Sequence, residues 1–391
     1  MSRVVLIGAL PESLINFRGN LLNALMAAGH MVTAMAGTDA PDVIQRLSAI
    51  GVDYRSYPVQ RNGMNPAVDL QTLIALRKTL KKLRPDAVLS YTIKPVIWGG
   101  LALKGLPATR FYALITGLGF AFNKTDKPMR QILTAFVTCL YRFSLTRASR
   151  VIFQNPDNRD VFVLRKIITK DKCVIVNGSG VNINKFSLTP LPEGKNKIVF
   201  LTIGRLLGEK GFREYAEAAR RIKVKYPETV FRLVGPEDPS PDRISQQEVQ
   251  RWHDEGIIQY LGKTDDVRPF ISDCHVYVLP SYHEGTPRTV LEAMAMGRPI
   301  ITTNAPGCRE TVKLVEGQTL DKDSIDVVQG ENGFLVPIKN ADKLANAMEM
   351  FIKKPDLVLK MGTKSRKIAE EKYDVHKVNH EILKAMGLSC E

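Results

Sequence analysis

Short runs of β-branched and aromatic residues alternate with longer stretches of helical periodicity along almost the whole chain, and this series occurs twice. In the first half, strands are expected at 4–10, 30–36, 86–91, 111–115, 150–154 and 173–177, with helices at 19–28, 70–83 and 130–144 between them. Runs such as Val4-Val5-Leu6-Ile7 lack the in–out alternation of a half-solvated sheet, so the strands belong to a parallel sheet covered on both faces. The pattern pauses at 187–197, which carries two prolines and a glycine and reads as a linker. A second series follows, with strands at 198–203, 230–234, 257–261, 276–279 and 300–303 and helices at 212–225, 287–296, 342–352 and 356–372. The expected fold class is therefore α/β, with two doubly wound Rossmann-like domains at 1–188 and 196–391. The C-terminal helices are expected to pack back on the first domain. Ligands of such sheets sit beyond the carboxyl ends of the strands, and two of them facing each other make an interdomain cleft.

Composition narrows the function classes. A chain of 391 residues with 44% hydrophobic and 24% charged residues is globular, not disordered. Its five cysteines include no CxxC pair, which argues for a reducing compartment and against a disulfide scaffold or cysteine-rich zinc site. The amino terminus has no cleavage-site pattern and no stretch reaches the length of a spanning helix, so the expectation is a cytoplasmic protein that meets a membrane only from the side. The net charge of +15 is lopsided: residues 1–190 hold 25 Lys+Arg against 10 Asp+Glu, and residues 191–391 hold 30 of each. Neither a Gly-x-Gly-x-x-Gly fingerprint nor a GxxxxGK[ST] loop is present, which removes the usual support for a dehydrogenase or a P-loop NTPase. No aromatic-interleaved basic run supports nucleic-acid binding, and none is expected.

The segment 280–301, Pro-Ser-Tyr-His-Glu-Gly-Thr-Pro-Arg-Thr-Val-Leu-Glu-Ala-Met-Ala-Met-Gly-Arg-Pro-Ile-Ile, is the most informative. A strand ends near 279, a loop carries Glu284 and Gly285, and a helix starts around Pro287, with Thr286 as the expected N-cap and proline at the first helical position. Backbone N–H groups of Gly285, Thr286 and Arg288 beside the positive end of a helix dipole suit a phosphate. Glu284 and Glu292 lie before and inside that helix, so they address different parts of an extended ligand.

Glu284 and Glu292 form E-x7-E within an EGxPxxxLEAMAxGxP string, which resembles the family 4 glycosyltransferases of the GT-B type. Residues 203–211, Ile-Gly-Arg-Leu-Leu-Gly-Glu-Lys-Gly, resemble that family's GRL-x-x-x-KG turn, and 231–236, 261–263 and 332–337 resemble further blocks. The resemblance implies a nucleotide sugar in the cleft and retention of anomeric configuration. It implies that Gly204, Arg205 and Lys210 hold the donor diphosphate, that Glu292 bonds the ribose hydroxyls, and that Glu284 faces the transferred sugar. Fixed cations neutralise two phosphates as the leaving group gains charge, so no metal or other cofactor is expected.

Within the first half, the altered loop at 15–20 leaves Gly19 as a donor contact and Arg18 as a candidate cation. The combination of Asn16-Phe17-Arg18-Gly19, Lys94-Pro95 and Thr116-Gly117-Leu118-Gly119 resembles one bacterial branch, the PglA-like group. Its members extend polyprenyl-diphosphate-linked saccharides, often with N-acetylgalactosamine. That implies a UDP-sugar donor and an acceptor site at Asn16, Arg18, Lys94, Thr116 and Gly117. A soluble small-molecule acceptor is the alternative. The basic run at 77–84, with Lys81, Lys82 and Arg84, matches an anionic inner-membrane surface. Further basic residues (Arg130, Arg142, Arg147, Arg150) flank a stretch at 130–144 so apolar that it is either a core helix or an interfacial one. His30, just before a strand, is expected to be structural, as no histidine stands in 113–120. Asp321-Lys322-Asp323 looks like a DxD metal motif but falls in an insertion at about 313–329. Cys274-His275 and the pair His376 and His380 lack a plausible ligand set.

Overall fold

A computed structural model describes every residue except 61, 62, 64, 120, 121, 123–127, 194–196, 241, 390 and 391, and all side chains of the described residues except that of Arg130. Phe120, part of the linker read at 187–197, Cys390 and the Arg130 side chain thus lie outside the described residues. The chain divides into two compact units, Met1–Ser179 with Val375–Glu391, and Gly180–Asp374. The second unit starts ahead of the proline-rich 187–197 segment, which belongs to it. The chain returns to the first unit after Asp374.

The first unit contains β1 (Arg3–Ile7), β2 (Met31–Ala36), β3 (Asp53–Ser56), β4 (Ala87–Tyr91), β5 (Arg110–Ile115), β6 (Ala148–Phe153) and β7 (Cys173–Ile175). They form one parallel sheet in the order β3-β2-β1-β4-β5-β6-β7. The second unit contains β8 (Val199–Ile203), β9 (Val230–Val234), β10 (Gln259–Tyr260), β11 (Val276–Leu279), β12 (Ile300–Thr303), β13 (Val328–Gln329) and β14 (Gly333–Val336). Its order is β10-β9-β8-β11-β12-β14-β13, parallel except for the β13–β14 edge. Both sheets are doubly wound, and in each the strand order reverses at the equivalent place, β1/β4 and β8/β11.

Burial explains which strands were visible in the sequence. β4, β8, β11 and β12 are buried at every position, and all four match apolar runs. β3, Asp-Tyr-Arg-Ser, is a mostly exposed edge strand with no apolar run to reveal it. β14 is fully buried, but its opening Gly333 disguised it, and the two-residue β13 lies in the insertion that β14 closes.

The last helix, Val375–Met386, buries Val378, Ile382, Leu383 and Met386 in the core of the first unit beside Leu21 and Leu25. Such burial contributes roughly 1.5–3 kcal/mol per side chain. Tyr112 Oη donates to Met386 O at 2.7 Å, and His30 bridges Ser2 N (3.3 Å) and Leu388 O (2.9 Å), so His30 joins the two ends of this unit as a structural residue.

One face of the first sheet is covered by helices Pro66–Leu83, Ile93–Ala102 and Pro128–Leu145, packed side by side. Helix Pro128–Leu145 packs on the core through Tyr141 and Leu145 and is apolar on its outer face as well. It turns Thr134, Thr138, Tyr141, Ser144 and Leu145 inward and leaves Met129, Ile132, Phe136 and Phe143 exposed. No helix among the described residues is long and apolar enough to cross a membrane.

Candidate active site

In the second unit, the turns after β8 and β11 lie side by side because those strands are neighbours at the reversal point of the sheet. The turn after β8 carries Gly204, Arg205 and Lys210, and the one after β11 carries Glu284, Gly285, Thr286 and Pro287. Tyr282 N donates to Glu209 O across the two turns, and Glu284 N donates to Pro306 O in the neighbouring turn after β12, each at 2.9 Å. A glycine permits each of these two approaches. A Cβ on Gly211 (φ 72°) would meet Pro280 O at 2.1 Å, and one on Gly307 (φ 81°) would meet Glu284 O at 2.3 Å.

Three charge pairs follow from this packing. The Lys210 ammonium is ion-paired with Glu284, whose Oε1 also accepts from Ser281 Oγ at 2.8 Å; both partners are largely buried. Arg205 Nη1 donates to Asp238 Oδ2. Asp238 is 5% exposed, and its other oxygen accepts from Ser240 N (2.9 Å) and Ser240 Oγ. Burial pushes the Asp238 pKa up, but the Ser240 and Arg205 bonds outweigh it and hold the carboxyl below its ordinary value. Arg288 Nε donates to Glu292 Oε1 at 2.8 Å. Glu292 is 4% exposed; burial raises its pKa more than Arg288 lowers it. Burial, with Glu284 and Asp242 nearby, also raises Glu209, against the lowering pull of Lys210.

The helix start differs from expectation. Pro287, not Thr286, occupies the N-cap position, and the helix runs Arg288–Ala295. With ψ at 108°, Pro287 is still extended while its carbonyl accepts from Val290 N at 3.1 Å. The Thr286 hydroxyl turns back to donate to Gly285 O at 3.0 Å. Tyr277 Oη, bonded to Ile203 O (3.2 Å) and Thr289 Oγ1 (2.7 Å), fixes the first turn of this helix against the end of β8.

In the first unit, Asn16, Arg18 and Gly19 follow β1, Lys94 follows β4, and Thr116 and Gly117 follow β5, so all lie at the carboxyl edge of adjacent strands. Asn16 is exposed and Gly19 begins helix Gly19–Ala27. Arg18 is not a surface cation: it is 2% exposed, with its guanidinium 5.0 Å from the Tyr91 ring centroid and Nη1 3.3 Å from Ser179 Oγ. Lys94 Nζ donates to Asp69 Oδ1 at 2.6 Å, both half-buried or less exposed. Thr116 and Gly117 are half-buried. Lys81, Lys82 and Arg84 are exposed, but they lie at the opposite, amino edge of the sheet, where helix Pro66–Leu83 ends with Arg84 in the left-handed region before β4. This cluster is therefore set apart from the candidate acceptor residues: a helix of eighteen residues lies between them, about 27 Å.

Asp238, Ser240 and Ser281 were not anticipated. The available signal for Asp238 was an acidic residue two positions beyond the Gly235-Pro236 turn that ends β9. Asp321 and Asp323 form a local turn (Asp323 N to Asp321 Oδ1, 3.0 Å), and Asn304 Nδ2 donates to Asp321 O at 2.9 Å. His275 is buried, its Nδ1 accepting from Val199 N at 3.2 Å. No group of three or more His, Cys, Asp or Glu suited to a metal ion occurs among the described residues.

Residues 16–178 match the family of glycosyl transferase 4-like domains, and residues 197–354 match the glycosyl transferases group 1. Both halves of the chain are thus glycosyltransferase domains, and the protein is a glycosyltransferase. It is 28% identical over 384 residues, 95% of each chain, to N,N'-diacetylbacillosaminyl-diphospho-undecaprenol alpha-1,3-N-acetylgalactosaminyltransferase of Campylobacter jejuni. It is 26% identical to UDP-Gal:alpha-D-GlcNAc-diphosphoundecaprenol alpha-1,3-galactosyltransferase of Escherichia coli, over 72% of this chain and 70% of that one. Among solved structures, Anabaena HepE in complex with UDP matches with a TM-score of 0.74 at 17% identity, covering 99% of this chain and 100% of that one. Sucrose-phosphate synthase of Thermosynechococcus elongatus matches with a TM-score of 0.77 at 19% identity, covering 99% and 98%. These likenesses establish the GT-B architecture of this glycosyltransferase, two Rossmann-like α/β units with parallel sheets.

Proposed function

We propose that this glycosyltransferase moves N-acetylgalactosamine, or another N-acetylhexosamine, from a UDP-sugar to a polyprenyl-diphosphate-linked saccharide. Transfer retains anomeric configuration, needs no metal ion, and takes place with the protein held peripherally on the cytoplasmic face of the inner membrane. The observation that carries the reading is the Lys210–Glu284 pair beside Arg205, at the reversal point of the second sheet. The names of the Campylobacter and Escherichia relatives support the acceptor class and the donor nucleotide.

The residues suit the step. Arg205 and Lys210 hold the donor diphosphate, and their fixed charge stabilises the phosphate oxygen that gains negative charge as its bond to the anomeric carbon breaks. Glu284, steadied by Lys210 and Ser281, faces the transferred sugar and stabilises the positive charge that develops on its ring. Glu292 accepts from the ribose hydroxyls while Arg288 holds it in place. The acceptor hydroxyl attacks on the face the phosphate leaves, forming the new C–O bond. Its proton passes to the departing phosphate oxygen, so no separate protein base is required. Asn16, Lys94, Thr116 and Gly117 contribute to the acceptor side.

A panel of nucleotide sugars, assayed with a polyprenyl-diphosphate-linked saccharide in the presence of EDTA, tests this reading. UDP-N-acetylhexosamine turnover that survives EDTA supports it. Activity confined to a lipid-free acceptor overturns the acceptor class, and loss in EDTA overturns metal independence. Glu284→Gln is expected to lower kcat by about 100-fold or more, as removal of a group aimed at developing charge does.

A further inference from the structure

The helix layer on the first unit carries an apolar surface that the described residues leave exposed. On helix Pro128–Leu145, Met129 (78% exposed), Ile132 (65%), Phe136 (60%) and Phe143 (55%) recur at spacings of three, four and seven, a single stripe about 21 Å long. The opposite face of the same helix packs on the core through Tyr141 and Leu145, with Thr134, Thr138 and Ser144 buried beside them, so the exposed stripe is a second apolar face that the core does not use. Leu70 and Ile74 are exposed on helix Pro66–Leu83, and half-buried Trp98 lies on the helix between.

Basic side chains border this surface at its lower end. Arg77 Nη1 donates to Lys104 O at 2.9 Å, and the Lys104 ammonium sits 5.3 Å from the Phe143 ring centroid, which joins the basic run of helix Pro66–Leu83 to the end of the apolar stripe. Lys78, Lys81, Lys82 and Arg147 are exposed around it. At the other end, Met129 and Leu70 lie near the helix starts, on the side of the sheet edge that carries Lys94 and Thr116.

We propose that this surface is inserted in an anionic lipid leaflet, with Ile132, Phe136 and Phe143 entering the boundary between headgroups and acyl chains while the basic border contacts lipid phosphates. An apolar stripe flanked by Lys and Arg on one exposed face is what an interfacial helix needs. A second copy of the chain would bring two identical positive borders together, whereas an anionic leaflet neutralises them. Insertion also accounts for the separation between the basic cluster and the acceptor edge. A bilayer lying along the helix layer touches the first and runs up to the second, where a lipid-linked diphosphate would leave the leaflet. The inference rests on the membrane association proposed above and adds a hydrophobic component to what charge alone would give.

The test uses the full-length protein and vesicles of phosphatidylcholine with and without phosphatidylglycerol, at low and high salt. Ile132→Ser/Phe136→Ser/Phe143→Ser, which removes no core side chain, is expected to lose at least about tenfold in affinity for the anionic vesicles and to abolish the part of binding that survives high salt. In a Phe136→Trp variant, brominated acyl chains are expected to quench fluorescence beyond the quenching in the parent. Vesicle binding that is unchanged in the serine variant, or a Phe136→Trp signal with no added quenching, overturns insertion while membrane association stands. Dimers dispersed by the serine substitutions overturn it in favour of a second copy. Failure of the parent to bind either vesicle overturns both the insertion and the membrane association on which it rests.

Discussion

The two units share a sheet order and a reversal point, yet they handle charge in opposite ways. The first carries 26 Lys+Arg against 12 Asp+Glu, the second 29 against 28. In the second, the cations expected to meet the donor are each engaged by a carboxylate: Arg205 by Asp238, Lys210 by Glu284, Arg288 by Glu292. Such pairing fixes direction at short range while leaving little net field. In the first unit the excess is exposed and gathered toward the amino edge of the sheet, where Lys81, Lys82, Arg84 and Arg147 face solvent. A diffuse positive face attracts an extended anionic surface and is screened by salt; a paired cation in a packed turn recognises one phosphate. On the function proposed above, the same architecture serves a surface-seeking half and a ligand-reading half.

Charge reversal offers the strongest way to break this contrast. Lys81→Glu/Lys82→Glu/Arg84→Glu should weaken binding to anionic vesicles by more than about 100-fold at low salt, since each basic side chain near a leaflet contributes about 1 kcal/mol. Turnover of a short-chain, water-soluble acceptor analogue should be unchanged in the same variant. Equal loss in both assays would mean that the two halves are not separable in this way.

A smaller effect is expected inside the second unit. Asp238→Asn keeps the shape but loses the charge that steadies Arg205, so the KM for the UDP-sugar should rise about tenfold, the equivalent of about 1.4 kcal/mol, with kcat changed less. Vesicle affinity should be unaffected. A change in kcat alone would remove Asp238 from donor positioning.

The smallest expected effect is on stability. Burial raises the Glu292 pKa above its ordinary 4.5, so the folded chain keeps this proton to higher pH than the unfolded chain does. Stability therefore falls as pH rises from the ordinary value through the raised one. Glu292→Gln removes that loss. It should raise Tm at neutral pH, and the gain should vanish below pH of about 4. A gain that persists at low pH would show that the charge is not its source. Weaker donor binding should accompany the added stability.

Legibility in the sequence followed burial and locality. Helices 212–225 and 356–372 and strands 230–234, 276–279 and 300–303 were read with their observed bounds, because each carries its own apolar period and its own stop signals. β3 was missed because an exposed edge strand needs no apolar residues. The cap at 286–287 was misplaced by one residue, since Thr-Pro permits either residue to be the last extended one and packing at Tyr277 decides. Asp238 escaped because its partner lies thirty-three positions away, and no local pattern marks such a pair.

The chain alone therefore determined its fold class, its two sheets, the glutamate helix and the lopsided charge, all properties carried by residues near one another in sequence. Only the tertiary structure decided which carboxylate holds which cation, that Arg18 is buried against Tyr91, and that helix Pro128–Leu145 turns its phenylalanines outward. Those outcomes depend on contacts between distant segments, and an apolar residue carries no mark in the sequence of whether a neighbour will cover it.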